Sequence, residues 1–141
     1  MIADTMRKAA GLVRGRHTTN TFMTGDGKLC IEGALRLAVL ADVRGVDTSN
    51  LAVVNEVNCM IDTSMWTSNV LPALYALDAV LPQDVVSFLP VRDDDEDKAP
   101  ITSEDERVMT RVWVYNDQVC TGGEDAAQLL EKAAAHIEEQ A

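Results

Sequence analysis

The sequence predicts a mainly α fold: a compact single-domain bundle of about five to seven helices, with at most one short hairpin or strand. Three observations point there. Apolar residues recur at helical spacing along most of the chain. Aromatic residues are only 4% of the sequence, so a core must be assembled from Ala, Leu, Val, Ile and Met, a bias that favours helices over strands. Helix-start signals precede several of the apolar stretches. At 141 residues, the span 1–141 suits one domain and buries enough surface to fold without a metal or disulfide.

The elements follow in order. Residues 3–14 form an amphipathic helix, with Ile2, Met6, Ala9, Ala10 and Val13 on one stripe and Arg7, Lys8 and Arg14 off it. Residues 15–28 are a loop or short extended piece, turned by Gly25, Asp26 and Gly27. A helix over 30–42 is apolar almost all round between Ala34 and Ala41, interrupted only by Arg36, so it is the central buried helix; Gly45 ends it. Thr48 or Ser49 caps a third helix over about 50–65, and Asn69 caps a fourth over about 70–80. Pro72 fits the first turn of that fourth helix, where its missing N–H has no intrahelical partner. Pro82 opens a short fifth helix that stops before Pro90.

Residues 91–102 hold Asp93, Asp94, Asp95, Glu96 and Asp97, an acidic run that buries nothing and predicts a solvated loop. Ser103 with Glu106 has the spacing of a capping box and opens a helix from 104, although Arg111, Val112, Trp113, Val114 and Tyr115 are equally good strand sequence. Thr121 with Glu124 has the same spacing, weakened by Gly122 and Gly123. It opens the clearest helix, 123–139, with Ala126, Ala127, Leu130, Ala133, Ala134 and Ile137 on its stripe.

Charge is uneven. Residues 1–44 carry seven Lys/Arg against four Asp/Glu, and residues 45–141 carry five against nineteen, for a net charge of -11. The simplest consequence is that the basic amino end packs against the acidic remainder. A chain this negative is not expected to bind nucleic-acid phosphates, which need Lys and Arg to displace counterions. No apolar stretch approaches the ~18–20 residues of a membrane span, and no apolar signal core begins the sequence. Cys30, Cys59 and Cys120 are odd in number and far apart, which predicts free thiols and a reducing, cytoplasmic setting.

Few residues suggest chemistry. Asp93, Asp95, Asp97 and Glu104 fall at positions one, three, five and twelve of a calcium loop, but Lys98 stands where the turn needs Gly, so no metal is expected. Cys30, near a helix start where the macrodipole lowers a thiol pKa, is the candidate nucleophile, with His17 or His136 to activate it and Asp26 or Asn116 to orient the imidazole. Its plainer reading is a small core residue. Trp113 and Tyr115, followed by Asn116 and Asp117, suit a polar ligand or, more simply, a core or groove anchor followed by a turn. Neither a Gly-rich phosphate loop nor a nucleophile elbow occurs, so no cofactor is expected.

Two stretches carry a resemblance. Gly25, Asp26 and Gly27, followed by Cys30, Gly33, Ala34, Leu35 and Ala38, match a D-G … C-x-x-G-A-L-x-x-A pattern. Tyr115, Asn116 and Asp117, then Thr121 and a final helix with Leu130, Ala133 and Ala134, match an aromatic-N-D … T … L-x-x-A-A ending. Together they are similar to an uncharacterised domain-of-unknown-function family of actinobacteria and actinobacteriophages; Leu29 stands where that pattern has Trp. The resemblance implies a phage or actinobacterial accessory protein. It marks Cys30, Gly33, Asn116 and Asp117 as motif positions without giving them roles.

The function expected is therefore a small acidic, non-enzymatic binding protein acting on a host or phage protein, with a basic host protein among the candidate partners and Cys30, Gly33, Trp113, Tyr115, Asn116 and Asp117 as candidate binding residues. The alternatives are a hydrolase or transferase using Cys30, and an inhibitor whose acidic run mimics nucleic-acid phosphates. A homo-oligomer is compatible with this composition.

Overall fold

The computed structural model describes residues 2–19, 23–24, 26–87 and 103–140. The expected acidic loop over 91–102 lies outside them. The described residues are mainly helical, as the periodicity predicts, and contain no strand. Helix α1 spans Ile2–Val13 and α2 spans Ile31–Arg44. Two short segments follow, α3 (Leu51–Asn55) and α4 (Val57–Met60). Helix α5 (Thr63–Met65) runs through a π turn, Trp66–Val70, into α6 (Leu71–Ala79). After α7 (Gln83–Val86) comes α8 (Glu104–Val114), which ends in a second π turn, Tyr115–Val119, and then α9 (Gly123–Gln140).

Helices α1, α2 and α9 form the centre. Arg14, just past α1, bonds Glu124 and Glu131 of α9, while Arg7 of α1 bonds Glu138, so these two helices run antiparallel. Lys8 pairs with Asp42 near the end of α2, and Arg16 C=O just past α1 accepts from Leu29 N–H just before α2, so α1 and α2 are antiparallel too. Ala3, Ala9 and Ala10 of α1 are buried with Ala126, Ala127, Ala133 and Ala134 of α9 in one core. Such small side chains let two helix backbones approach closely. As the sequence predicts, α2 is buried on all sides, from Ile31 through Leu40 apart from Arg36. Gly45 closes it in the left-handed region, φ 66°, where a side chain is strained. The amino-terminal cations thus face acids within the fold, as the charge distribution predicts.

Several local expectations are corrected. The helix expected over 50–65 is interrupted at Glu56 and again at Ile61. Val53, Val54, Val57 and Ile61 are stiff at χ1 and poor helix formers, and Asp62 restarts the chain by accepting from Met65 N–H at 2.8 Å. The cap of α3 is Asn50, not Thr48 or Ser49. Asn69 caps nothing; it lies inside the π turn, where Leu71 N–H bonds Trp66 C=O and the helix passes continuously into α6. Pro72, which has no N–H to close an ordinary α turn, follows directly on this widened turn. Ser103 makes no side-chain cap bond, but Glu104, Asp105 and Glu106 complement the positive end of α8. At α9 it is Asp125 rather than Glu124 that reaches back to Thr121 N–H, at 3.0 Å.

The strand option over 108–115 is replaced by helix. The one over 17–30 reduces to two isolated bridges, His17 with Leu29 and Met23 with Leu29. Gly27, at φ 88°, makes the expected turn there. No helix among the described residues is long and apolar enough to cross a membrane.

Candidate functional site

The start of α2 and the end of α8 meet at one end of the bundle, and most of the candidate residues meet with them. Cys30 is the N-cap of α2: its Sγ accepts from Gly33 N–H at 3.2 Å. Asn116 is 2% exposed, and the second π turn holds it against that same helix start. Its Oδ1 accepts from Ile31 N–H at 3.0 Å, and its Nδ2 donates to Thr18 C=O at 3.2 Å and to an Asp117 oxygen at 2.8 Å. Asn116 is therefore not a surface turn residue. It ties the first turn of α2, the segment at 17–18 and the end of α8 into one junction.

That junction fixes the state of His17. Ile31 N–H and Thr18 C=O orient the amide, so His17 Nε2, 2.7 Å from Asn116 Oδ1, must carry the hydrogen and donate. Cys120 Sγ lies 3.9 Å from the same nitrogen and itself donates to Gly122 C=O at 3.1 Å. The structure thus places His17 beside Cys120 and Asn116, a cysteine–histidine–asparagine grouping that the sequence spacing did not reveal. It is not wired as a nucleophile. A general base would accept the thiol proton on one ring nitrogen and donate from the other to its orienting group. Here both neighbours share Nε2, and burial pushes the Cys120 thiol pKa up.

Cys30 departs further from the expected nucleophile. Burial outweighs the help of the Gly33 N–H and pushes its pKa up to about 11, so the macrodipole does not yield a thiolate. His136 lies on α9 two residues before Glu138, the partner of Arg7 midway along α1, and so sits away from this junction at the start of α2. Iodoacetamide at neutral pH is accordingly expected to modify exposed Cys59 first and Cys30 last, read by mass spectrometry. Rapid modification of Cys30 in the folded protein would contradict this assignment.

Next to the junction lies a charged group that sequence reasoning missed. Glu32, 1% exposed, accepts from Arg36 Nε at 3.0 Å and from Trp113 Nε1 at 3.2 Å. The Arg36 guanidinium also stacks 5.0 Å from the centre of the Trp66 ring. Both tryptophans of the chain thus frame one ion pair. The available signal was the Glu32–Arg36 spacing of four on an otherwise apolar helix. Arg111 and Asp78 were missed too; their two bonds, 2.7 and 2.9 Å, clamp α8 to α6.

Desolvation raises the pKa of Glu32, partly offset by Arg36 and Trp113. The folded state therefore holds this proton more tightly than the unfolded chain does. Glu32's contribution to stability should fall as pH rises from near its ordinary 4.5 through the raised value. The expected result is a stability difference, wild type minus Glu32→Gln, that declines over this window in urea unfolding at a series of pH values. A difference that rises with pH would refute it.

Of the candidate residues, Cys30, Gly33, Asn116 and Asp117 gather at the junction, and Trp113 adjoins them through Glu32. Tyr115 points elsewhere, into a cleft of ≈ 350 Å³ that it shares with Val80, Pro82, Asp125, Leu129 and Lys132. Asp93, Asp94, Asp95, Glu96 and Asp97 lie outside the described residues. No group of three or more His, Cys, Asp or Glu among the described residues is arranged to hold a metal ion. Neither a family model, nor a curated protein, nor a solved structure matches the chain.

Proposed function

We propose that the chain is a small acidic binding protein that engages a basic protein partner. The observation that carries this reading is the arrangement of charge. Arg7 and Lys8 of α1, and Arg14 just past it, are paired with acids of α9 and α2. The basic amino end is thereby neutralised in place, and an approaching partner meets the surplus negative charge of a chain at -11. The polar groups at the α2–α8 junction bond to one another, which supports a structural rather than a chemical role for them. The resemblance of the two motif stretches supports a phage-encoded accessory protein acting in the host cytoplasm.

The test is affinity capture from actinobacterial lysate, with an unrelated protein of matched charge as control. An enriched basic protein, released at high salt and lost when residues 93–97 are neutralised to Asn and Gln, is the expected result. Competition by duplex DNA would identify the captured protein's phosphate groove as the contact, the mimicry form of the same reading. No enrichment over the control would overturn the proposal.

A further inference from the structure

We infer that the cleft between the second π turn, the α6–α7 turn and α9 binds a small aliphatic carboxylate. Three elements build it. Val80, Leu81 and Pro82 supply one wall, Tyr115 of the π turn another, and α9 the third, through Asp125, Leu129 and Lys132. Positions 125, 129 and 132 are spaced four and three apart, which puts them on one stripe of α9. At ≈ 350 Å³ the cleft lies at the small end of the range for ligand sites. Leu81 and Leu129 are buried and Val80 is half-buried, so the lining that an apolar body would meet is mostly aliphatic.

Charge and hydrogen-bonding capacity decide the head group. The cations of α1, α2 and α8 pair with acids, whereas Lys132 pairs with none among the described residues. Its neighbours three and four places along α9 are Gln128, Leu129, Ala135 and His136, so the helix itself offers it no acid. Asp125, the one acid of the described lining, is already engaged: its carboxylate accepts from both the N–H and the hydroxyl of Thr121. It also lies about 10 Å from Lys132 along the helix axis, near the screening length of ordinary salt. The charge left unmet in the cleft is therefore positive. The Tyr115 hydroxyl bonds no described residue, and burial raises its pKa, so at neutral pH it keeps its proton and can donate. One ammonium and one hydroxyl supply donors for the two oxygens of a carboxylate. A phosphate dianion would need more positive charge than one lysine brings to a chain at -11.

This site is independent of the basic partner proposed above. Decanoate is the probe, titrated into the isotope-labelled full chain and followed by amide NMR shifts. The expected result is a saturable shift at Leu81, Tyr115 and Leu129. General surface charge cannot produce it, because a chain at -11 repels an anion. Lys132 is exposed, so Lys132→Gln leaves the fold intact and should weaken decanoate by about threefold. Tyr115→Phe keeps the ring and removes only the hydroxyl, and should weaken it by a similar factor. Decylamine, the same chain with a cationic head, should shift these amides less readily than decanoate does. No saturable shift at the cleft, unchanged decanoate affinity in both variants, or decylamine acting there as readily as decanoate would overturn the inference.

Discussion

Gly123→Ala is expected to cost about 3 kcal/mol or more, at or above the upper end of the range for overpacking substitutions. Gly123 begins α9 where that helix crosses the end of α1. A Cβ built there would lie 2.5 Å from Arg14 C=O and 2.6 Å from Val13 C=O. Both are backbone oxygens, which cannot rotate aside as a side chain would, so the two helices must separate. Their contact buries the alanine stripes of both, and separation weakens much of the core. Gly122→Ala is the matched control. Nothing lies within 4 Å of its added Cβ and its φ is not positive, so that change should be neutral or stabilise by about 0.5 kcal/mol through the unfolded chain. Thermal and urea unfolding of the pair checks both signs. Equal stability of the two variants would contradict the crossing described above.

Asn116→Ala should cost about 3 kcal/mol. Removing the amide strands the Ile31 N–H, the Thr18 C=O and the His17 Nε2–H, and a buried polar group left unsatisfied costs ~1–3 kcal/mol. Thr18 and His17 are only half buried, so water offsets part of their share. Asn116→Asp preserves the shape but sets a second acceptor against Thr18 C=O and Asp117. It should be as destabilising at neutral pH and recover in part under acid, when the new carboxyl can donate. A loss below about 1 kcal/mol for Asn116→Ala would show that the junction is solvated and not a tie between α2 and α8.

The long elements were legible because their burial is periodic. Helices α1 and α9 carry regular apolar stripes, α2 is apolar almost all round, and Gly45 marks the end of α2 as a left-handed glycine should. What was not legible depends on tertiary partners. Asn116 reads as a turn residue by type, and its buried role exists only because Ile31 and Thr18 arrive beside it from 85 and 98 positions away. Gly123 reads as a weak helix start, yet it is the close approach of α1 that requires a glycine there. The π turns carry no periodic signature, and Pro72 reads from sequence only as a first-turn residue of the helix that follows. Capping assignments failed where a neighbour one or two places on took the bond, Asn50 for Ser49 and Asp125 for Glu124. The two motif stretches were separate in the reading of the sequence; packing brings them together.

These findings shift weight from reactive groups to surface charge. Cys30 caps a helix, His17 donates to Asn116, and the cations of α1 are matched by acids of its neighbours. Surplus negative charge is what the proposed basic partner would meet. The most direct measurement is the affinity of the full chain for a labelled octa-lysine, by fluorescence anisotropy, across a range of salt concentration. Binding that weakens steeply and continuously as salt rises is predicted, because the contact is between exposed charges screened within roughly 10 Å at 0.1 M salt. No binding at low salt, or an affinity that salt leaves unchanged, would contradict the account.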